Sequence, residues 1–358
     1  MHRATRTLTR RKHVVFSLIY LVVLAAVTVV AAELLVRLRG IEPWDVPELP
    51  IRVTPGGRFY ATHPELGYTH LPGAFLVTLP DGYAFRVTHL PNTFRVTHPL
   101  PTAAPERPKP EIWLFGCSFT HGWSLNDQDT YPWRLQERFP AYQVVNYGVG
   151  GYGTIHALLQ LREALHARPL PVVAVYAYAG FHDERNTFLR RRRKGVALWN
   201  RLGPLTQPYA RLTSDGTLRY AFAAVEYREW PLMRSSALVH FLELTYNHVE
   251  ERVADSHEVS KRLVLEMASL AKQARVPLVM AGIMDDDPTH DMLTFARDHG
   301  LAAVELASGL TADTYWNLPH DRGHPSPRGT AKYAERLEAF LRHQVLTPDH
   351  AGKDRPHR

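Results

Sequence analysis

Glu111-Ile-Trp-Leu-Phe-Gly-Cys-Ser-Phe-Thr120 is the stretch on which the reading of this chain turns. Its apolar run has the length and bulk of a strand buried on both faces, the form that strands take in parallel sheets covered by helices. Gly116 permits a tight exit from the strand. Ser118 then stands just past the carboxyl end, where open parallel sheets present their ligand sites. A Gly-x-Ser by itself is more often a turn than a nucleophile, and Thr120 occupies the place of the last glycine in a Gly-x-Ser-x-Gly elbow. The rest of the chain has to decide.

Downstream, strand and helix patterns alternate. Strands are expected at 112–115, 143–146, 172–178, 277–283 and 302–306, and helices at 155–167, 260–274, 292–299 and 327–342. Strands separated by helical stretches imply a parallel sheet covered on both faces. The segment after Asn186 breaks this rhythm with a basic run, Arg190 to Lys194, and a hairpin expected to turn at Ser214-Asp215-Gly216.

Upstream, residues 41–110 hold 13 of the 27 prolines, a density that breaks helices and central strands. They read as a connector with short edge strands. Within it Phe85-Arg-Val-Thr-His89 recurs as Phe94-Arg-Val-Thr-His98, two copies that suggest paired strands and are too few for a repeat array.

Before the connector, residues 14–32 are nineteen positions without a charge, enough at ~1.5 Å per helical residue to span roughly 30 Å of hydrocarbon. Arg3, Arg6, Arg10, Arg11 and Lys12 precede this run and outweigh Arg37 and Arg39 after it, so the amino terminus is expected in the cytoplasm. The apolar run exceeds the core of an ordinary signal peptide, and an uncleaved anchor at 14–36 is expected, although Val30-Ala31-Ala32 would suit a cleavage site.

The chain has 358 residues, 42 Lys+Arg and 35 Asp+Glu, and 45% of its positions are hydrophobic. Disorder and a disulfide-rich miniprotein are excluded. One cysteine, Cys117, excludes an internal disulfide and a Cys-rich zinc site. The net charge of +7 becomes −3 once the five charges of the amino terminus and the five of the basic run are set aside, so no general nucleic-acid face is expected.

Polar and glycine-rich blocks follow the other strands. The second strand runs into Asn146-Tyr-Gly-Val-Gly-Gly-Tyr-Gly153, whose glycines let a backbone N–H approach a ligand closely. Its spacing is not the dinucleotide fingerprint, and a flexible loop is the plainer reading. The third strand runs into Gly180-Phe-His-Asp-Glu-Arg-Asn186. A nucleophilic serine needs a base, and the base an orienting carboxylate. Asp-x-x-His occurs at Asp287/His290, Asp321/His324 and Asp354/His357. Only Asp321/His324 follows the fifth strand and immediately precedes a strong final helix.

These four blocks, GCSFT, NYGVGGYGT, GFHDERN and DRGHPSPRGTAKYA, resemble in order those of the SGNH/GDSL hydrolases, over roughly residues 110–345. The resemblance implies a three-layer α/β/α sandwich with a flavodoxin-like parallel sheet. It implies Ser118 as nucleophile, His324 as base and Asp321 as the group orienting it. It also implies an oxyanion hole from the N–H of Ser118, the N–H of Gly151 (five residues after Asn146) and a side chain of the third block. There the chain departs from the family: His182 stands where most members have an asparagine. His182 is expected to donate in its place, the alternative being a histidine that fixes the loop through Asp183 or Arg185.

Cys117 is expected to point into the packing of the sheet. A metal site from His182, Asp183, His320 and His324 competes with the triad for His324 and is set aside. No cofactor is expected. The basic run reads as a solvated loop, or as a patch for anionic headgroups or glycans. The organisation expected is a basic terminus (1–13), an anchor (14–36), a Pro-rich connector (37–110), a hydrolase domain (111–345, with an insertion near 187–235) and a polar tail (346–358). The function expected is an extracytoplasmic ester hydrolase, single-pass in the inner membrane with its domain on the periplasmic side. Its substrate would be an acyl ester of a carbohydrate or lipid, with O-deacetylation as one form. An O-acyltransferase using the same triad and a silent glycan-binding module are the alternatives.

Overall fold

The computed structural model describes residues 10–46, 50–99 and 108–346, so Arg3, Arg6, the Asp354/His357 pair and the polar tail from 347 lie outside it. Helix α1 (Arg10–Leu38) contains the charge-free run, and its apolar window has a mean hydropathy of 2.8 and buries nothing. It is long and apolar enough to cross a membrane. The chain divides into two compact bodies, one from Met1–Pro47 with Tyr227–Glu250 and the other from Glu48–Glu226 with Glu251–Arg358.

In the second body the connector forms five short strands, β1 (Arg52–Thr54), β2 (Tyr60–His63), β3 (Gly67–His70), β4 (Gly73–Thr78) and β5 (Ala84–His89). Strands β1, β4 and β5 make an antiparallel sheet, and β2 pairs with β3. Phe59, Phe75, Val77, Phe85 and Val87 close a small core of their own. The two Phe-Arg-Val-Thr-His copies lie antiparallel around the turn at 90–94, but only the first is a regular strand; the second makes isolated bridges at Arg95, to His89 and Asn146.

Beyond the connector, β6 (Glu111–Phe115), β7 (Gln143–Asn146) and β8 (Val173–Tyr178) alternate with α2 (Ser118–His121), α3 (Tyr131–Arg138) and α4 (Thr154–Ala167). After β8 come α5 (Asp183–Thr187), α6 (Arg190–Trp199) and a hairpin of β9 (Thr206–Leu212) and β10 (Leu218–Ala224), turning where the sequence places it. Then follow α7 (Ala237–Ala254), α8 (Ser256–Gln273), β11 (Leu278–Gly282), α9 (Asp287–Asp298), β12 (Ala302–Glu305), α10 (Ala312–Tyr315), the hairpin β13 (Trp316–Asn317) and β14 (Asp321–Pro325), and α11 (Pro327–Gln344).

The central sheet has the order β12-β11-β8-β6-β7 and is parallel throughout. Counted along the chain this is 2-1-3-4-5, the flavodoxin-like order, with its topological switch point between β6 and β8. One face packs Trp113, Tyr176 and Met280 against α4, α8 and α9; the other packs Ile112, Val175 and Val279 against α3 and α11. The three-layer α/β/α sandwich is therefore present. Its helices start where local chemistry says they should. Thr130, Asp286 and Ser326 cap α3, α9 and α11 by accepting from the N–H three residues on, each with a proline in the first two helical positions.

The first body contains α1 and most of α7, a helix that the sequence pattern did not reveal. The Glu33 carboxylate near the end of α1 accepts from the Ser236 hydroxyl at 2.7 Å and from the Ala237 and Leu238 N–H groups at 2.9 and 2.8 Å. The Ser236 hydroxyl in turn accepts from the Val239 N–H at 3.2 Å, so a local serine and a side chain distant in sequence share the start of α7. The Trp44 backbone N–H donates to the Met233 carbonyl, and its ring lies under the Arg234 guanidinium.

Candidate active site

Three loops at the carboxyl ends of the strands meet near the switch point, and each is positioned by its own chemistry. After β6, Gly116 leaves no room for a side chain, because a Cβ there would stand 2.1 Å from Thr120 Oγ1. The chain turns directly into α2, and Ser118, its first residue, has one of the first-turn N–H groups that no helical carbonyl reaches. Thr120 is held by Tyr131, whose hydroxyl donates to its Oγ1 at 2.9 Å, and by Asn146, whose Nδ2 donates to its carbonyl at 2.9 Å. Asn146 Oδ1 accepts from the Gly148 N–H at 2.9 Å, so one side chain ties the first loop to the second.

Ser118, His324 and Asp321 stand in hydrogen-bond sequence. Ser118 Oγ is 2.9 Å from His324 Nε2, and His324 Nδ1 is 2.9 Å from Asp321 Oδ2. With the ring proton on Nδ1, it donates to Asp321 and accepts from the serine hydroxyl. The imidazole sits between Phe119 and Trp123, with ring centroids 5.5 and 6.2 Å away. Burial acts to raise the Asp321 carboxyl, but the hydrogen bond from His324, the imidazole charge and the Gly323 N–H outweigh it and hold the group below its ordinary value. The acid therefore stays ionised beside the imidazole. The Asp321/His324 pair lies on β14, fixed ahead of the capped α11.

The second loop passes alongside. A Cβ on Gly150 would come within 3.9 Å of Ser118 Cβ and 2.5 Å of the Tyr60 hydroxyl. Gly151 has a φ of +84°, in the region that favours glycine. The Tyr68 hydroxyl donates to the Gly150 carbonyl at 2.7 Å, and Arg192 Nη2 donates to the Gly151 carbonyl at 2.7 Å. The basic run is thus neither a loop nor wholly solvated: it forms α6, and Arg192 turns inward to brace the glycine loop. Sequence reasoning missed Tyr60, Tyr68 and Arg192, because their roles depend on segments that meet only in the fold.

In the third loop His182 is fully buried. Its Nδ1 is 2.9 Å from the Tyr176 hydroxyl, and its Nε2 has no partner. Burial, with the charge of Arg185, pulls the ring well below its ordinary pKa and keeps it neutral. The Tyr176 hydroxyl donates to Thr154 Oγ1 at 2.9 Å, which leaves its oxygen to accept from His182 Nδ1, so Nε2 carries a lone pair in place of the donor expected from the sequence. The alternative anchor does not form through Asp183, which instead accepts from the Tyr178 hydroxyl at 2.6 Å and pairs with His257 at 2.7 Å.

The metal site weighed from sequence is not assembled. His320 pairs with Asp81 at 2.6 Å and stacks on Tyr83, and Asp183 and His182 have the partners just named. Cys117 is fully buried among Ile112, Leu114 and Phe119.

A cavity of about 350 Å³ opens beside Gly150 and Gly151. Its walls come from the connector (Val53, Phe59, Tyr60), from Trp123, and from α6 and the residues after it (Val196, Trp199). Its lining is mostly apolar and includes Arg58, Arg192 and Arg201.

No protein-family model and no curated protein sequence matches this chain. Among solved structures it is similar to a G-D-S-L family lipolytic protein from Desulfitobacterium hafniense, at 11% identity and a TM-score of 0.38, covering 64% of this chain and 99% of that one. It is similar to a G-D-S-L family member from Veillonella parvula at 12% identity and a TM-score of 0.37, covering 65% and 98%. The SGNH-hydrolase family esterase AlinE4 matches at 12% identity and a TM-score of 0.32, covering 71% and 88%. Likenesses of this size carry no weight for the chemistry, which stands on the arrangement of Ser118, His324 and Asp321 in this chain.

Proposed function

We propose that the chain is a serine ester hydrolase of the SGNH/GDSL kind. The observation that carries this reading is the unbroken Ser118–His324–Asp321 hydrogen-bond sequence at the switch point of the sheet. Ser118 Oγ attacks the ester carbonyl while His324 Nε2 takes its proton, and Asp321 stabilises the imidazolium. The tetrahedral oxyanion is held by the N–H groups of Ser118 and Gly151. His324 returns the proton to the leaving alcohol and leaves an acyl-serine, which water activated by the same ring then hydrolyses.

The aromatic cavity beside Gly151 supports an ester whose acyl group is apolar and larger than acetyl, as in a lipid. Helix α1 supports attachment to a membrane, and the basic residues before it support a domain on the extracytoplasmic side, the periplasmic side in a cell with two membranes.

The test is labelling of the full chain in detergent with a fluorophosphonate, read by intact mass beside a Ser118→Ala control. One added phosphonyl group, absent from the control, is the expected result. A folded chain that takes no label overturns the reading and leaves a silent binding module.

A further inference from the structure

Outside the triad, the second body gathers a group of histidines that the proposed reaction does not use. His70 ends β3, His89 ends β5 and His121 ends α2; all three side chains are buried, with 2%, 3% and 0% of their surface exposed. One nitrogen from each ring lies within 4.8 Å of the other two. The His70 and His89 rings are stacked, 4.1 Å apart and 8° from parallel, so their edges present side by side.

The hydrogen bonds around the group say which nitrogens are available. His89 Nδ1 is 3.0 Å from the Leu71 carbonyl and carries the proton there, which leaves a lone pair on Nε2. His70 bonds the Thr93 backbone, and its Nε2, buried, has no partner. An imidazole anchored to a backbone carbonyl through one nitrogen, with the other left bare, is the arrangement that orients histidine as a metal ligand. His121 brings Nε2 to within 3.0 Å of His89 Nε2, while its Nδ1 is buried without a partner. His70 Nε2, bare in a space closed to water, is expensive to leave unsatisfied.

Burial keeps the rings neutral, the form that binds metal: His89 is pulled down to about 3, and His70 and His121 fall well below their ordinary values. The nearest cation, Arg95, donates to the His121 carbonyl at 2.8 Å, and its charge is matched by Asp127 at 3.0 Å. Among the described residues, no carboxylate or thiolate belongs to the group. Three imidazoles and no hard oxygen ligand suit zinc and its neighbours, and exclude calcium and magnesium. Nitrogens on one tetrahedral zinc at ~2.0–2.1 Å stand about 3.4 Å apart, within the range these rings already span.

We infer that His70, His89 and His121 form a metal site for zinc or another imidazole-preferring divalent transition metal, which clips the connector to the helix that begins with Ser118. The three ligands come from three elements, and two of those belong to the connector. The metal would join strands β3 and β5 to α2, three residues from the serine. This site stands apart from the proposed reaction, and metal content reports on it whether or not Ser118 is a nucleophile.

The experiment uses the full, untagged chain in detergent. Metals are measured by plasma mass spectrometry, and the thermal midpoint is followed through chelation by dipicolinate and re-addition of zinc. Stoichiometric zinc, a midpoint that drops on chelation and its recovery with zinc are expected. His70→Gln and His89→Gln lose the metal, while Ser118→Ala and His98→Gln keep it. A wild-type chain that holds no stoichiometric transition metal, and whose midpoint zinc does not move, overturns the site without reference to any variant. Zinc retained by both His70→Gln and His89→Gln overturns it equally.

Discussion

Phe85-Arg-Val-Thr-His89 and Phe94-Arg-Val-Thr-His98 are the same five residues nine positions apart, and the fold uses them in opposite ways. In the first copy Phe85, Val87 and His89 point inward and Arg86 is exposed, the alternation of a strand with one wet face. In the second, Arg95, Val96 and Thr97 are buried together and Phe94 and His98 are partly exposed. Arg86 contributes backbone: its N–H donates to Asn126 and its carbonyl accepts from Arg95. Arg95 contributes its whole side chain. Nε pairs with Asp127 at 3.0 Å, and the terminal nitrogens donate to the carbonyls of His121, Gly122, Leu125 and Arg86. Its guanidinium fills the concave side of the loop that follows Ser118. Identical local preferences give two structures because the second copy lies against the edge of the parallel sheet, bridging to Asn146, where strand alternation is no longer available.

Three paired substitutions would sharpen or break this contrast. The largest effect belongs to the arginines. Arg95→Ala removes the ion pair of Asp127 and a donor from each of four carbonyls and is expected to destabilise by about 3–5 kcal/mol, while Arg86→Ala stays within about 0.5 kcal/mol, in denaturant unfolding of the chain. Equal losses would mean that burial of the guanidinium is not what separates the copies. Next come the histidines. His89→Ala removes a ring stacked on His70 and bonded to Leu71 and costs about 2–4 kcal/mol, whereas His98→Ala, bonded only to Pro99 and Gln143 near the surface, costs less than about 1 kcal/mol. The threonines differ least. Thr97 donates to the Val144 carbonyl at 2.8 Å in a buried setting, so Thr97→Val is expected to cost about 1 kcal/mol, and Thr88→Val nothing measurable.

What the sequence discloses follows from the range of the forces involved. The five central strands and their helices are legible because burial on both faces imposes a local pattern, and the start of α11 is legible because Ser326 and Pro327 mark it. Ser118, Asp321 and His324 are legible because each stands in a short block at a strand's end. Arg95, Tyr68 and Arg192 are not, since each acts on a backbone atom between 26 and 82 positions away. The grouping of His70, His89 and His121 is hidden for the same reason. Among twenty histidines, no spacing distinguishes three that meet through different elements. At α7 the local cap, Ser236, is one serine among many, and Glu33, which takes the first N–H groups of the helix, lies 203 residues before it.

The lodging of Arg95 in the loop after Ser118 bears on where the chain can be cut. A fragment starting at Glu111 would retain every strand of the parallel sheet and the whole Ser118–His324–Asp321 series. It would lack the side chain that fills the 121–127 turn, and Tyr60 and Tyr68, which press on the glycine loop. The segment ahead of the sheet, by sequence a connector, thus braces the loops around Ser118, and among the described residues that line the cavity Ile51 comes first in the chain.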